Sequence, residues 1–274
     1  MSKIRNFFKN NKFCIKIYSV LRWHEKFDFI LFKLNEFKLK RNHLILFDKK
    51  NKTKFFIPNY QKDFIQKHIF NTKSFFEKDY LDYITKKWKD GLIGEIIKNK
   101  SVLDIGCNIG NHTLYFLNIC NASKIHCFEP VENTFSILKK NIEINNLKDR
   151  VKLWNVGVGS HKSLGHISHY DENNIGSTTI QEDSSGNIDI ISIDELNLQD
   201  PIGLIKIDVE GFELEVIKGI LTTLKKNKPF IMIELRHEFK QEIENLLFNI
   251  GYQFEILNED PRFNDCLFFQ SNNE

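Results

Sequence analysis

The run Val102–Asn111 carries the residue types best suited to chemistry. An apolar stretch enters Asp104, a loop containing Gly106, Asn108 and Gly110 follows, and helix-like sequence resumes near His112. This order reads as a strand, a tight turn and a helix start, where glycines let backbone N–H groups approach a ligand. A dinucleotide loop would read G-x-G-x-x-G with no acid closing the strand before it, and no Lys-Ser/Thr pair follows here to grip phosphate. A carboxylate at that strand end suits a cationic or amine-bearing ligand and repels a pyrophosphate. A second acid-ended stretch, Lys124–Glu129, places Glu129 25 residues after Asp104. That is close to the offset of ~20 residues at which an acid accepts hydrogen bonds from a ribose diol.

Two more strand ends carry charge. Ile205–Gly211 holds Lys206, Asp208 and Glu210, and Phe230–Glu234 is followed three residues later by His237. In an open α/β sheet the ligand lies beyond the carboxyl ends of the strands, so these groups should converge opposite the glycine loop. Lys206 and Asp208 share strand parity and face the same side. A lysine buried in a strand is costly unless paired, which makes Asp208 or Glu210 its partner. A structural ion-pair network capping a helix at 212 is the competing reading of these three residues.

The elements that must position these groups alternate from residue 101 onward. Strands are expected at 101–105, 124–128, 151–156, 204–207 and 230–234, and helices near 112–120, 132–146, 212–226 and 238–249. Short loops between them mean a parallel, doubly wound sheet. The chain then ends in a hairpin, 252–257 and 266–270, so the last strand should run antiparallel. The expected fold is therefore α/β, a seven-stranded Rossmann-like sheet of class I methyltransferase type with a reversed last strand. Asn, Ser and Gly in 171–188 suggest a mobile loop.

Upstream, Ser74–Glu77 fits a capping box for a helix burying Phe76, Tyr80, Tyr83, Ile84 and Trp88. Another helix covers 92–99. Residues 43–58 read as a hairpin around Lys49–Lys54, and 60–70 as a short helix. The first 40 residues suggest amphipathic helices. Domain boundaries are placed at 1–73, a basic and mainly helical extension, and 74–274, the catalytic body. Residues 1–100 hold 24 Lys and Arg against 10 Asp and Glu, whereas the remainder is acidic. The extension is read as a solvated surface for homo-oligomer formation, ahead of peripheral membrane contact. No nucleic-acid module is recognisable. Five cysteines without a C-x-x-C pair, no signal peptide and no spanning apolar run point to a cytoplasmic protein with reduced thiols.

Val102–Gly110, Phe128-Glu129-Pro130, Asn174–Thr179 and Ile205–Glu213 together resemble the FkbM family of S-adenosylmethionine-dependent methyltransferases. Lys206–Gly211 is the most specific segment, and the resemblance covers about residues 74–257. It implies S-adenosylmethionine as cofactor and O-methylation of a sugar, nucleotide-sugar or natural-product hydroxyl, with bacterial capsule or lipooligosaccharide synthesis as the setting. It places Asp104, Gly106, Asn108, Gly110 and Thr113 around the methionine half, Glu129 on the ribose, and Asn155 and Val156 beside the adenine. Cys107, and the glycine-rich run after Asn155, depart from the family's usual residues.

A hydroxyl is a weak nucleophile until its proton moves, so a base or a Lewis-acid metal is required. His237 and Asp208 are the candidate bases, with Glu234, Glu210 and Lys206 completing the catalytic set. A divalent cation held by Asp208, Glu234 and His237 is the alternative. Asn174 and Ser177 are read as substrate-side residues. His161, His166 and His169 fit no metal motif and read as solvated or strand-face histidines, and Asp194 reads as a helix N-cap. The amino-directed Asn/Asp-Pro-Pro-Tyr segment is absent, which argues for oxygen over exocyclic nitrogen. The other readings are a lipid, protein or nucleic-acid methyltransferase and a non-catalytic cofactor-binding subunit.

Overall fold

The computed structural model describes residues 45–270. The expected helices of the first 40 residues lie outside that range. The compact unit begins at Leu46. In chain order its elements are β1 (Ile45–Asp48), β2 (Thr53–Phe56), α1 (Phe64–Thr72), α2 (Lys78–Asp82), α3 (Leu92–Asn99), β3 (Ser101–Ile105), α4 (Asn111–Asn118), β4 (Ile125–Phe128), α5 (Glu132–Ile144) and β5 (Val151–Trp154). There follow β6 (Gly157–Val158), β7 (Ser163–His169), β8 (Thr179–Glu182), β9 (Ile188–Ile191), β10 (Ile202–Ile207), α6 (Glu213–Lys218), α7 (Leu221–Asn227), β11 (Phe230–Arg236), α8 (Lys240–Phe248), β12 (Tyr252–Glu259) and β13 (Phe263–Gln270).

Seven strands form one mixed sheet in the order β12-β13-β11-β10-β3-β4-β5. The pairs from β11 across to β5 are parallel, and β13 runs antiparallel to both β11 and β12. Every residue of β3 and β10 is buried. That is why both read as nearly continuous apolar runs rather than as alternating patterns. The charged exceptions, Asp104 and Lys206, are register partners on adjacent strands.

Upstream of the sheet, β2 docks on α5. Backbone N–H groups of Lys54 and Phe56 donate to the side chains of Asn145 and Asn141 at 2.9 and 2.6 Å. Residues 46–73 thus belong to the compact unit. Among the described residues no helix is long and apolar enough to cross a membrane.

The structure corrects several local expectations. The stretch 157–191 carries strands that the sequence does not indicate. It holds a second, four-stranded sheet in the order β6-β9-β7-β8, and β8 lies inside the segment 171–188 that the composition marked as mobile. The expected single helix 212–226 is two, parted at Gly219 and Ile220; Gly219 packs against Gly159, where a Cβ would lie 1.9 Å from the carbonyl oxygen. The capping box at Ser74–Glu77 does not form. Glu77 takes a left-handed backbone, φ 55°, and caps α2 with no side-chain hydrogen bond. Tyr83 points outward, while Leu81, Ile84 and Trp88 are buried. Asp194 does cap a helix, but a distant one, accepting from Thr222 and Thr223 N–H at the start of α7, 2.8 Å each.

Candidate active site

A cavity of about 450 Å³ is lined from the carboxyl ends of β3, β4, β10 and β11. The glycine loop forms one wall. Gly106 has φ +73°, and a Cβ on it would stand 1.8 Å from the Asp208 carbonyl oxygen, so only glycine lets the loop pass the end of β10. Gly106 and Cys107 N–H both donate to the Phe128 carbonyl, which ties the loop to the end of β4.

Glu129 closes β4 and reaches back to that loop. Its Oε2 accepts from Asn108 N–H at 3.0 Å and its Oε1 from Val131 N–H at 2.9 Å. Burial pushes the carboxyl up to about 7 against those two hydrogen bonds. Each oxygen keeps lone pairs for a further donor, as a ribose diol would supply. Val156 lines the cavity. Asn155 does not; its Nδ2 instead donates to the Glu129 and Pro130 carbonyls at 2.9 and 3.2 Å and shapes the turn.

Beneath the loop lies a buried charge network. Lys206 Nζ donates to the Gly106 carbonyl at 2.8 Å and sits 3.2 Å from Asp208 Oδ2 and 3.6 Å from Asp104 Oδ1. Burial pulls its pKa down, but Asp208 and Asp104 outweigh that, and the net shift is upward. The ammonium is therefore fixed. Asp104 Oδ2 accepts from Thr113 Oγ1 at 2.5 Å. Asp104, Gly110 and Thr113 hold the loop from behind and do not line the cavity.

The wall opposite Glu129 is acidic. Asp208, Glu210, Glu234 and Asp265 all line it. Burial together with Asp208, Glu210 and Asp265 pushes Glu234 up to about 9. Asp265 is raised to about 6 by burial, with Glu77 and Asp208 adding to it. Glu210 is raised by burial and by Asp208, and its Oε2 receives Arg236 Nη2 at 2.6 Å.

A model of the FkbM methyltransferase domain matches residues 104–254. The chain belongs to the FkbM methyltransferase family. It is similar to Methyltransferase 1 of Beauveria bassiana, 28% identical over 144 residues, which cover 43% of this chain and 57% of that protein, under two thirds of its length. It is also similar to the hexuronic acid methyltransferase AglP of Haloferax volcanii, 30% identical over 184 residues, covering 63% of this chain and 72% of AglP. The 2-O-methyltransferase NoeI of Sinorhizobium fredii is 27% identical over 188 residues, covering 59% of this chain and 74% of NoeI.

Within this FkbM domain, the residues expected from the sequence divide cleanly. Gly106, Asn108, Glu129, Val156, Asn174, Ser177, Lys206, Asp208, Glu210 and Glu234 line one cavity. His237 does not: it is exposed, and its Nε2 lies 3.3 Å from Asn264 Oδ1. The reason is strand length. β11 runs on to Arg236, so Glu234 and Arg236 share one side and His237 falls past the end on the other. Among the described residues no three His, Cys, Asp or Glu side chains are placed to hold a metal ion, so the expected Asp208, Glu234 and His237 ligand set is not formed.

Asn174 and Ser177 sit on a short turn that is anchored rather than loose. Asp63, the N-cap of α1, accepts from Gln66 and from Ile175 N–H, 3.0 Å each. Sequence reasoning missed Glu77, Tyr80, His112, Arg236, Arg262 and Asp265, all of which line the cavity. Arg236 could have been found from its two-residue offset to Glu234. Asp265 lies in the return strand, where no motif marks it.

Proposed function

We propose that this FkbM-family protein is an S-adenosylmethionine-dependent O-methyltransferase that acts on a hydroxyl of a sugar or nucleotide-sugar, in bacterial surface-glycan synthesis. The carrying observation is Glu129, an acid at the end of β4 whose two oxygens face both the glycine loop and the cavity. The Gly106 turn fits the same ligand, since a Cβ there would strike the Asp208 carbonyl and displace the loop that borders the cavity. When bound, S-adenosylmethionine supplies an electrophilic methyl group on a positively charged sulfur.

The chain's own residues do the rest. Glu129 accepts hydrogen bonds from the ribose, Val156 flanks the adenine, and the Gly106–Asn108 loop borders the methionine part. Asp208 and the acidic wall favour positive charge on the donor. Asn174 and Ser177 offer polar groups on the acceptor side. Oxygen as the acceptor atom and a sugar as its carrier are supported by the names of NoeI and AglP and by a cavity rich in hydrogen-bonding groups.

Calorimetry with S-adenosylhomocysteine tests the donor site, and labelled methyl transfer to hexoses, hexuronic acids and nucleotide-sugars tests the acceptor. Binding in the micromolar range and labelling of a sugar are expected. No binding at millimolar ligand overturns the reading.

A further inference from the structure

Helix α4 begins directly after the glycine loop, and its second residue, His112, lines the cavity while remaining 9% exposed. Its Nε2 is enclosed and lies 3.2 Å from Glu77 Oε2, without an aligned hydrogen bond. Hydrogen bonds of this kind are often misaligned before substrate arrives. No hydrogen bond from Nδ1 to another described residue exists either.

The pairing is built, not incidental. Asn111, the neighbour of His112, clamps Phe76, the neighbour of Glu77, through two hydrogen bonds. Phe76 N–H donates to Asn111 Oδ1 at 2.9 Å, and Asn111 Nδ2 donates to the Phe76 carbonyl at 3.0 Å. Glu77 itself stands in the left-handed region, φ 55°, which a non-glycine residue enters at a cost. That backbone turns its side chain toward the cavity instead of onto the end of α2.

The acids on the wall opposite Glu129 are already engaged or held protonated. Asp208 is tied to the buried Lys206 ammonium at 3.2 Å. Asp265 accepts from Asn258 Nδ2 at 3.1 Å. Glu234 shares its wall with Asp208, Glu210 and Asp265, so like charges oppose its ionisation.

We propose that His112 is the base that takes the acceptor's proton, and that Glu77 is the positioning residue that orients its ring and offsets the charge it gains. The proposal rests on the methyl-transfer reading above. The acceptor O–H bond breaks and its proton passes to His112 Nδ1. The oxygen's electron pair forms the new C–O bond, and the C–S pair stays on sulfur, which leaves as a neutral thioether. The imidazolium formed faces the Glu77 carboxylate, as an orienting acid serves a histidine base elsewhere. It returns its proton to solvent after product leaves.

The test uses the full chain, S-adenosylmethionine and the acceptor panel above, with His112→Ala and Glu77→Gln. Both variants should bind S-adenosylhomocysteine within about threefold of the parent, whereas kcat for His112→Ala should fall by roughly 10²- to 10⁴-fold. Added imidazole should restore part of that loss, which it would not do for a merely structural residue. Glu77→Gln should lower kcat more than it changes KM. Proton NMR of the parent should show a downfield imidazole N–H resonance that disappears in both variants. Full activity of His112→Ala, or a loss that imidazole does not relieve, overturns the base assignment. If the parent methylates nothing in the panel, the acceptor reading fails. The His112–Glu77 pair is then judged on the N–H resonance, whose absence from the parent overturns it.

Discussion

Lys206 and Asp104 occupy the same level of neighbouring parallel strands, with their charged atoms 3.6 Å apart and neither side chain more than 5% exposed. One buried ammonium thus serves two carboxylates and a loop carbonyl, since it also meets Asp208 and Gly106. Lys206→Met would leave Asp104 as an uncompensated buried charge. Breaking a buried pair in this way costs about 3–5 kcal/mol. The urea midpoint should fall accordingly, and S-adenosylhomocysteine should bind more weakly because the Gly106 carbonyl loses its anchor. A cost under about 1 kcal/mol would show that the network is not structural.

Glu129 is the residue on which donor binding should depend. Glu129→Gln removes charge while keeping the shape, and the loss of charge-assisted hydrogen bonds should weaken S-adenosylhomocysteine by about 1.5–3 kcal/mol, or roughly 10- to 100-fold. The free carboxyl is raised to about 7 by burial. Protonation removes acceptor capacity, so affinity in the parent should decline as pH falls through 7. The Gln variant should lack that dependence. Calorimetry across pH 5.5–8.5 checks both, and a flat parent profile would exclude a carboxylate role.

Glu234 makes a prediction about stability rather than affinity. Its folded value is raised from 4.5 to about 9, by burial and by the neighbouring acids. The folded state therefore holds a proton that the unfolded state releases. The stabilisation is present in full below 4.5 and is lost as pH rises through 9. Glu234→Gln cannot ionise, so it should melt higher than the parent at pH 8 and equally at pH 4.5. The expected gain is roughly 3–6 °C, the size of a change of about 1–2 kcal/mol in a chain of this length. Equal melting temperatures at both pH values would mean that Glu234 is not strained by its neighbours.

The main sheet was legible because β3, β4, β10 and β11 are buried on both faces and leave apolar runs bounded by acids. The second sheet was not. In β7, Leu164 and Ile167 are exposed while Gly165 is buried, so period-two patterning points the wrong way. Site residues set by strand ends and glycines, such as Glu129 and Gly106, follow from local sequence. Those set by backbone strain or by long-range return do not. Glu77 matches a capping box and yet turns left-handed, and Asp265 reaches the site only because β13 pairs with β11. Local rules fail here where the chain is strained next to the cavity, which is where such failures are expected.

The register at the end of β11 separates two bases that the sequence ranked together. Asp208 lines the cavity; His237 is exposed and meets Asn264. Asp208→Asn should leave S-adenosylhomocysteine affinity within a few-fold and cut kcat by roughly 10²-fold, since it removes a fixed charge beside the reacting centre. His237→Ala should keep turnover within about twofold, as for a surface substitution of ~0.5 kcal/mol or less. Side-by-side kinetics on one acceptor decide the matter. A large kcat loss in His237→Ala with Asp208→Asn unaffected would mean that the loop after β11 swings inward on substrate binding and that the base lies there, not on α4.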